Sequence, residues 1–214
     1  AFTYNNLYVT NGGTKTLTGA ILVNEHLQVG ASTTFDVSAS NYPIEFKRGM
    51  CNAGTFNPRQ GTVTFSGTLG RSICGANTFY NFILNMTGID QLNDSGPSLV
   101  VSNNMEIQSG RFVCAPNGIY TIKDVLIMNT GELAAGNSDI AVSGNWQNYG
   151  TFNPGTSTVT FNGANINQIM FGSTTFYNLH CNHIGTGYVS NEFHATTVDA
   201  LFRIIQGSVI SGNM

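Results

Sequence analysis

Charged residues are scarce in this sequence. Asp, Glu, Lys and Arg make up 9% of its 214 residues, against roughly 25% in an ordinary globular domain. Long solvated helices depend on such residues, so their scarcity excludes a mainly helical protein and favours strands and turns. The net charge of -3 comes without a basic cluster, which argues against nucleic acid as a partner.

Long apolar runs and catalytic motifs are missing as well. No run approaches the roughly 18 residues that a membrane-spanning helix needs, and no signal-peptide pattern is present, so Ala1 is expected to be a mature or processed start. The sequence lacks a serine-histidine-aspartate order, a nucleotide-binding glycine loop and a repeated aspartate calcium motif. It therefore predicts no catalytic residue and no cofactor.

Cysteine is infrequent, and its four positions follow no pattern. Cys51, Cys74, Cys114 and Cys181 neither recur at a fixed spacing nor form a CxxC pair. We therefore expect a framework that is built on neither disulfides nor zinc. Pairing of Cys51 with Cys74 in an oxidising compartment, and free buried thiols, both stay open.

The sequence does contain a passage that occurs twice, at residues 44 to 67 and 140 to 163. The two copies match at an offset of 96 in Met50 and Trp146, Asn52 and Asn148, Phe56 and Phe152, Val63 and Val159, and Phe65 and Phe161. From Phe79 and Phe176 onward the offset is 97. A repeat that keeps register over this distance predicts one repetitive domain over residues 1–214. Its copies span approximately 1–77, 78–174 and 175–214, the last incomplete, and residues 119–136 form an inserted coil in the second.

Short alternating stretches predict the type of strand. Thr62-Val63-Thr64-Phe65 and Thr158-Val159-Thr160-Phe161 place Val and Phe on one side and Thr on the other, as half-buried strands require. In-register repetition favours an all-β fold of the β-solenoid (parallel β-helix) type over two similar β-sandwich domains. Equivalent residues of the two passages should then line one interior column. The predicted core residues are Phe56, Val63, Phe65, Phe79, Trp146, Phe152, Val159, Phe161 and Phe176.

A resemblance becomes visible along the second passage. Ile140, Trp146, Gly150-Thr151-Phe152 and Gly163, followed by Thr175-Phe176-Tyr177-Asn178, resemble the repeats of very large secreted surface proteins of Bacteroidetes-type bacteria. The pattern is also similar to adhesin and fibre proteins that form parallel β-helices. The resemblance covers nearly the whole chain. It implies extracellular, repetitive, adhesive or scaffolding material and carries over no catalytic residue.

Few side chains could carry chemistry. His180-Cys181-x-His183, with His194, has metal-ligand residue types, but neighbouring strand residues face opposite sides and cannot share one ion. No metal site is therefore predicted. Asp90, Asp94 and Glu106 could be proposed as acids of a polysaccharide-cleaving enzyme. We interpret Asp90 and Asp94 as solvated turn acids instead, since they lie in a loop rich in Gly, Asn and Ser.

These observations predict a non-enzymatic extracellular protein: an adhesin, or a filament or fibre subunit at the cell surface. A carbohydrate-active β-helix enzyme and a phage tail-fibre or tail-spike segment stay as alternatives. The expected partners are further copies joined end to end, or a continuation of a longer chain, together with surface glycans. Low charge leaves the strand edges at the two ends unprotected. The residues predicted to form these assembly edges are apolar and strand-like: Phe2, Tyr4, Leu7, Val9, Ile204 and Val209.

Overall fold

The computed structural model describes residues 1–68, 71–87, 90–192 and 195–211, and within them the chain is all-β without helix. The strands in chain order are β1 (Phe2–Val9), β2 (Gly13–Thr16), β3 (Ile21–Val29), β4 (Thr33–Asp36), β5 (Ile44–Phe46), β6 (Gly49–Asn52), β7 (Thr55–Asn57), β8 (Thr62–Phe65), β9 (Arg71–Cys74), β10 (Asn77–Asn85), β11 (Gln91–Asp94), β12 (Ser98–Val113), β13 (Ile119–Ala134), β14 (Asp139–Val142), β15 (Trp146–Asn148), β16 (Thr151–Asn153), β17 (Thr158–Phe161), β18 (Gln168–Phe171), β19 (Thr174–Asn182), β20 (Tyr188–Asn191), β21 (Thr196–Gln206) and β22 (Ser208–Ser211).

All of these strands pair in parallel and stack as the coils of a β-solenoid of about ten turns. One turn takes between 19 residues, as from Phe2 to its partner Ile21, and 24 residues, as from Trp146 to its partner Met170. Each turn contributes one layer, here called a rung, with a strand segment on each of three faces. The inserted coil at residues 119–136 is one such turn, since β13 pairs with β12 along its length.

The three faces are defined by their inward-facing rows. Face A contains Ile21, Ile44, Val63, Phe82, Met105, Val125 and Trp146. Face B begins with Leu7, Leu27, Met50 and Ile73 and continues through Phe112, Leu133 and Phe152. Face C contains Phe35 and Phe56, then Phe79, Val101, Ile122, Val142 and Phe161. Long strands such as β12 and β13 pass through all three faces, with register shifts at the corners.

A single hydrophobic cluster fills the interior from Val9 to Val189. All nine residues predicted for the repeat core lie in it and are buried. Aromatic rings stack along the column, with centroids 5.1 Å apart for Phe46 and Phe65 and 5.8 Å apart for Phe56 and Phe79. Rings at these separations add attraction to their burial.

Asparagine and glycine shape the corners between faces. The Asn52 Oδ1 atom accepts the Gly54 N–H at 3.1 Å, and the Asn148 Oδ1 atom accepts the Gly150 N–H at 3.2 Å. These turns let the side chain replace a backbone hydrogen bond at the corner. A Cβ atom on Gly54 would lie 2.3 Å from the Gly30 carbonyl oxygen, so only glycine fits. Equivalent residues of the two passages thus form the same type of corner turn.

Equivalent residues of the two passages do point into the one interior column, but they lie on different faces of it. Val63 lies on face A, whereas its equivalent Val159 lies on face C. Phe56 lies on face C, and its equivalent Phe152 lies on face B. The repeat covers a whole number of turns plus two-thirds of a turn. The second copy is therefore rotated about the solenoid axis by one face relative to the first. Both copies still point inward, because the alternation of inward and outward side chains is kept.

In the described part of the chain, the structure contains no helix that could cross a membrane.

Candidate assembly surfaces at the terminal rungs

The N-terminal rung, defined as β1 and β2, is paired on one side only within the described chain. β1 pairs with β3, and β2 pairs with β4. Phe2 and Tyr4 continue the inward row of face A, and Leu7 and Val9 continue that of face B. Phe2 is 54% exposed and Tyr4 38%, whereas Val9 is buried. The backbone edge and part of the apolar column are therefore open to solvent.

The C-terminal rung, defined as β21 and β22, has the same character. β21 pairs with β19, and β22 pairs with β20. Phe202 and Ile204 continue the inward row of face C, and Val209 continues that of face A. Phe202 is 43% exposed and Ile204 51%. These side chains occupy core positions but have no rung above them in the described chain.

Each terminal rung opens into a cavity, and the C-terminal one is mainly apolar. The C-terminal cavity has a volume of about 260 Å³ and is lined by Met170, Leu179, Asn191, Thr196, Val198, Phe202 and Val209. The N-terminal cavity has a volume of about 380 Å³ and a mixed lining, with Tyr4, Leu7, Val9, Leu17 and Phe35 beside the polar Thr10, Asn11, Lys15 and Thr16. Both cavities are the open ends of the interior column. All six predicted assembly-edge residues line one of these cavities or are exposed at the same rung, and of the six Val9 is buried.

Lys15 is a residue at this surface that sequence reasoning missed. It pairs with Phe35, so it takes the inward position on face C of the N-terminal rung. Its Nζ atom donates to the Gly12 carbonyl oxygen at 3.0 Å and stays exposed. An inward charge on an edge strand opposes strand addition. Face C is therefore protected, contrary to the expectation of wholly unprotected edges. The sequence signal that could have indicated this strand position was the turn at residues 11–13, shortly before Lys15.

The histidine and cysteine cluster does not converge. Cys181 points into the core, while His180 lies on the opposite side of β19. His183 is buried at the corner after that strand. His194 lies outside the described residues. Among the described residues no group of three His, Cys, Asp or Glu side chains could hold a metal ion.

Asp94 departs from the interpretation as a solvated turn acid. It is 5% exposed and takes an inward position on face B. Its Oδ2 atom accepts the Tyr120 hydroxyl at 2.7 Å, and its Oδ1 atom accepts the Gly96 N–H at 2.9 Å. The Tyr120 hydroxyl accepts the Ala115 N–H at 2.7 Å. Asp94 therefore closes a buried polar network, away from Asp90 in the preceding loop and from the outward-facing Glu106.

The cysteines divide into two classes. Cys51 and Cys74 are register partners on face B and form a disulfide. Cys114 and Cys181 are free and buried. Burial raises the pKa of Cys114 to about 12 and that of Cys181 to about 11, so both thiols stay protonated and inert at neutral pH. The disulfide joins two neighbouring rungs.

Comparison of the chain with protein-family models, with curated proteins and with solved structures gave no match.

Proposed function

We propose that this protein is a non-enzymatic structural solenoid of the cell exterior that extends by stacking further rungs onto its two ends. The observation that carries the proposal is the pair of open cavities at the terminal rungs, where column residues lie exposed. Covering these ends satisfies the free backbone edge and removes apolar area from water, at about 25 cal/mol per Å². The covering rungs come from a second copy or from a longer chain.

An extracellular location is supported by the Cys51–Cys74 disulfide. Such bonds persist in oxidising surroundings and are rare in the reducing cytosol. The bond joins rungs through outward positions rather than supporting the core. We therefore infer a secreted or surface-exposed scaffold, and an adhesin or fibre subunit is the form that the repeat resembles.

Stacking of two copies has a defined geometry. The C-terminal rung runs from face B through face C to face A, so the next strand of a continuous column would lie on face B. β1 of an incoming copy begins on its own face A. A junction without a gap therefore rotates each copy by one face, or about 120°. About ten turns at ~4.8 Å per rung give a rise of ~50 Å per copy.

Charge substitutions at the junction test this proposal. Replacing the inward charge by Lys15→Val should promote association, because no charge then enters the apolar column. Val9→Lys and Ile204→Lys should each abolish it. Sedimentation velocity over a dilution series measures the assembly state, and Met128→Lys on the lateral surface serves as the matched control.

Electron microscopy of the assemblies measures the rotation and the rise per copy, which tests the predicted stacking independently. Side-by-side association, or a column without the one-face rotation, would contradict end stacking. So would a Lys15→Val variant that stays monomeric at high concentration while keeping its β-sheet circular dichroism.

A further inference from the structure

A groove on the outer side of face A lies away from both terminal rungs. It is lined by Asn145, Gln147, Tyr149, Ile169, Phe171 and Glu192 and has a volume of about 210 Å³. This face A groove spans three consecutive rungs. Gln147 on the first rung pairs with Phe171 on the second. Met170, next to Phe171, pairs with Asn191, which places Glu192 on the third rung. Its size suits one small ring rather than an extended chain.

Two aromatic rings, together with Ile169, form the apolar part of the groove. Tyr149 and Phe171 have centroids 5.4 Å apart and ring planes inclined at 52°. Tyr149 is 48% exposed, and its hydroxyl has no hydrogen-bond partner within the described chain. Exposed aromatic side chains with one polar end are enriched where a protein binds a partner. The rings offer a surface on which a second flat, partly apolar ring can stack.

Polar groups surround these rings. The Asn145 Oδ1 atom accepts the Ile169 N–H at 2.9 Å, which fixes the side chain and leaves its amide NH₂ group without a partner among the described residues. The Gln147 amide and the Glu192 carboxylate likewise have no partner in the residues that the structure describes. Together they provide amide donors and acceptors and one strong acceptor. Neighbouring rungs place them ~5 Å above and below the Phe171 position.

We propose that the face A groove binds one sugar ring of a neutral glycan. The C–H face of a pyranose is apolar and stacks on Tyr149 and Phe171. Its hydroxyls donate to the Glu192 carboxylate and exchange hydrogen bonds with Gln147 and Asn145. The carboxylate repels anionic ligands, and unpaired amides beside the rings would be desolvated at a cost by an apolar peptide. The site is independent of end stacking.

Saturation-transfer NMR with methyl glycosides of glucose, galactose, mannose and N-acetylglucosamine tests the proposal. Sugar concentrations up to ~20 mM saturate a site with a Kd of ~1 mM. At least one of these sugars should receive saturation from the 214-residue protein. Tyr149→Ala should weaken that binding at least tenfold, and Glu192→Gln severalfold, while Tyr149→Phe keeps it within about twofold. Tyr8→Ala, at an exposed tyrosine of the N-terminal rung, is the matched control.

Three outcomes would overturn the assignment. The first is that no sugar of the panel binds. The second is that binding survives both Tyr149→Ala and Glu192→Gln unchanged, which would place it elsewhere. The third is that an apolar aromatic peptide, and no sugar, changes the chemical shifts of Tyr149 and Phe171. Unaltered β-sheet circular dichroism in every variant excludes loss of fold as the reason for lost binding.

Discussion

At the scale of single residues, hydrogen bonds hold polar side chains at inward positions of the column. Asp94 takes an inward position next to the buried Tyr120 ring, and its two oxygens accept a hydroxyl and a backbone N–H. Gln168 is fully buried and bonds the Gly163 N–H and the Val142 and Gly144 carbonyls. A buried polar group without such bonds costs about 1–3 kcal/mol. These residues therefore fill positions in the column that an apolar side chain would otherwise take.

Asp94 makes stability depend on pH in a direction opposite to that of most carboxyls. Burial raises the pKa of Asp94, so the folded protein holds this proton more tightly than the unfolded chain. The stabilisation is fully present below the ordinary aspartate pKa and is lost as pH rises through the raised value. Asp94→Asn should therefore gain stability relative to the natural protein as pH rises from about 4 to about 8, as measured by urea unfolding.

Asp36 provides the control of opposite sign. Its hydrogen bonds with the Arg59 guanidinium, at 2.6 and 2.8 Å, lower the pKa of this carboxyl. Its stabilisation is present above the ordinary value and is lost as pH falls through the lowered one. Asp36→Asn should thus be less stable than the natural protein at neutral pH, with a deficit that shrinks in acid. If both variants change in the same direction with pH, at least one of the two carboxyls does not act as described.

Trp146 is the largest fully buried side chain. Its ring lies 4.9 Å from Phe152 and 5.4 Å from Phe176, and its Nε1–H donates to the Thr174 hydroxyl at 3.2 Å. Trp146→Ala should lower the free energy of unfolding by about 3–5 kcal/mol, with Trp146→Phe losing less. Chemical denaturation followed by circular dichroism measures both. An alanine variant that unfolds at the same midpoint as the natural protein would refute this packing role.

At the scale of elements, the strands were predictable and their arrangement around the axis only partly so. The Thr-Val-Thr-Phe alternation correctly predicted that Val63 and Phe65 point inward, because period-two patterns depend on burial alone. It could not predict which face a strand joins, since that depends on the length of every corner. Asp94 was misassigned because Tyr120, which bonds it, lies 26 residues away. Lys15 was missed because a four-residue strand after a turn carries little signal.

The cysteines give an element-level test of how neighbouring rungs are joined. In the folded, unreduced protein iodoacetamide should modify no cysteine, since Cys51 and Cys74 are bonded and the other two are buried. Denaturation without reductant should expose two thiols, Cys114 and Cys181, and reduction all four. Mass spectrometry of the alkylated peptides counts them. Four modified thiols without reductant would mean that the bond between the two rungs is not formed.

At the scale of the whole molecule, the repeat and the turn have different lengths. Asn81 and Asn178 make the same 3.3 Å hydrogen bond, to Thr62 and Thr158, although they belong to different faces. The faces are therefore interchangeable environments, and a sequence unit can be copied onto any of them. Only local alternation and corner chemistry need to be kept. Gly54 and Gly150 satisfy that condition on corners one face apart.

A distance measurement tests the parallel rung order on which the terminal rungs and the groove both depend. Glu45, Thr64, Ile83, Glu106, Leu126 and Gln147 are successive register partners on the outer side of face A. Spin labels at Glu45 and Gln147 are five rungs apart, so their backbone sites should be ~24 Å apart at ~4.8 Å per rung. The pair at Glu45 and Leu126 should be one rung closer, at ~19 Å. Double electron–electron resonance with Cys114 and Cys181 replaced by alanine should give two narrow distributions that differ by one rung. Equal distances, or a shorter one for Glu45 and Gln147, would contradict the solenoid.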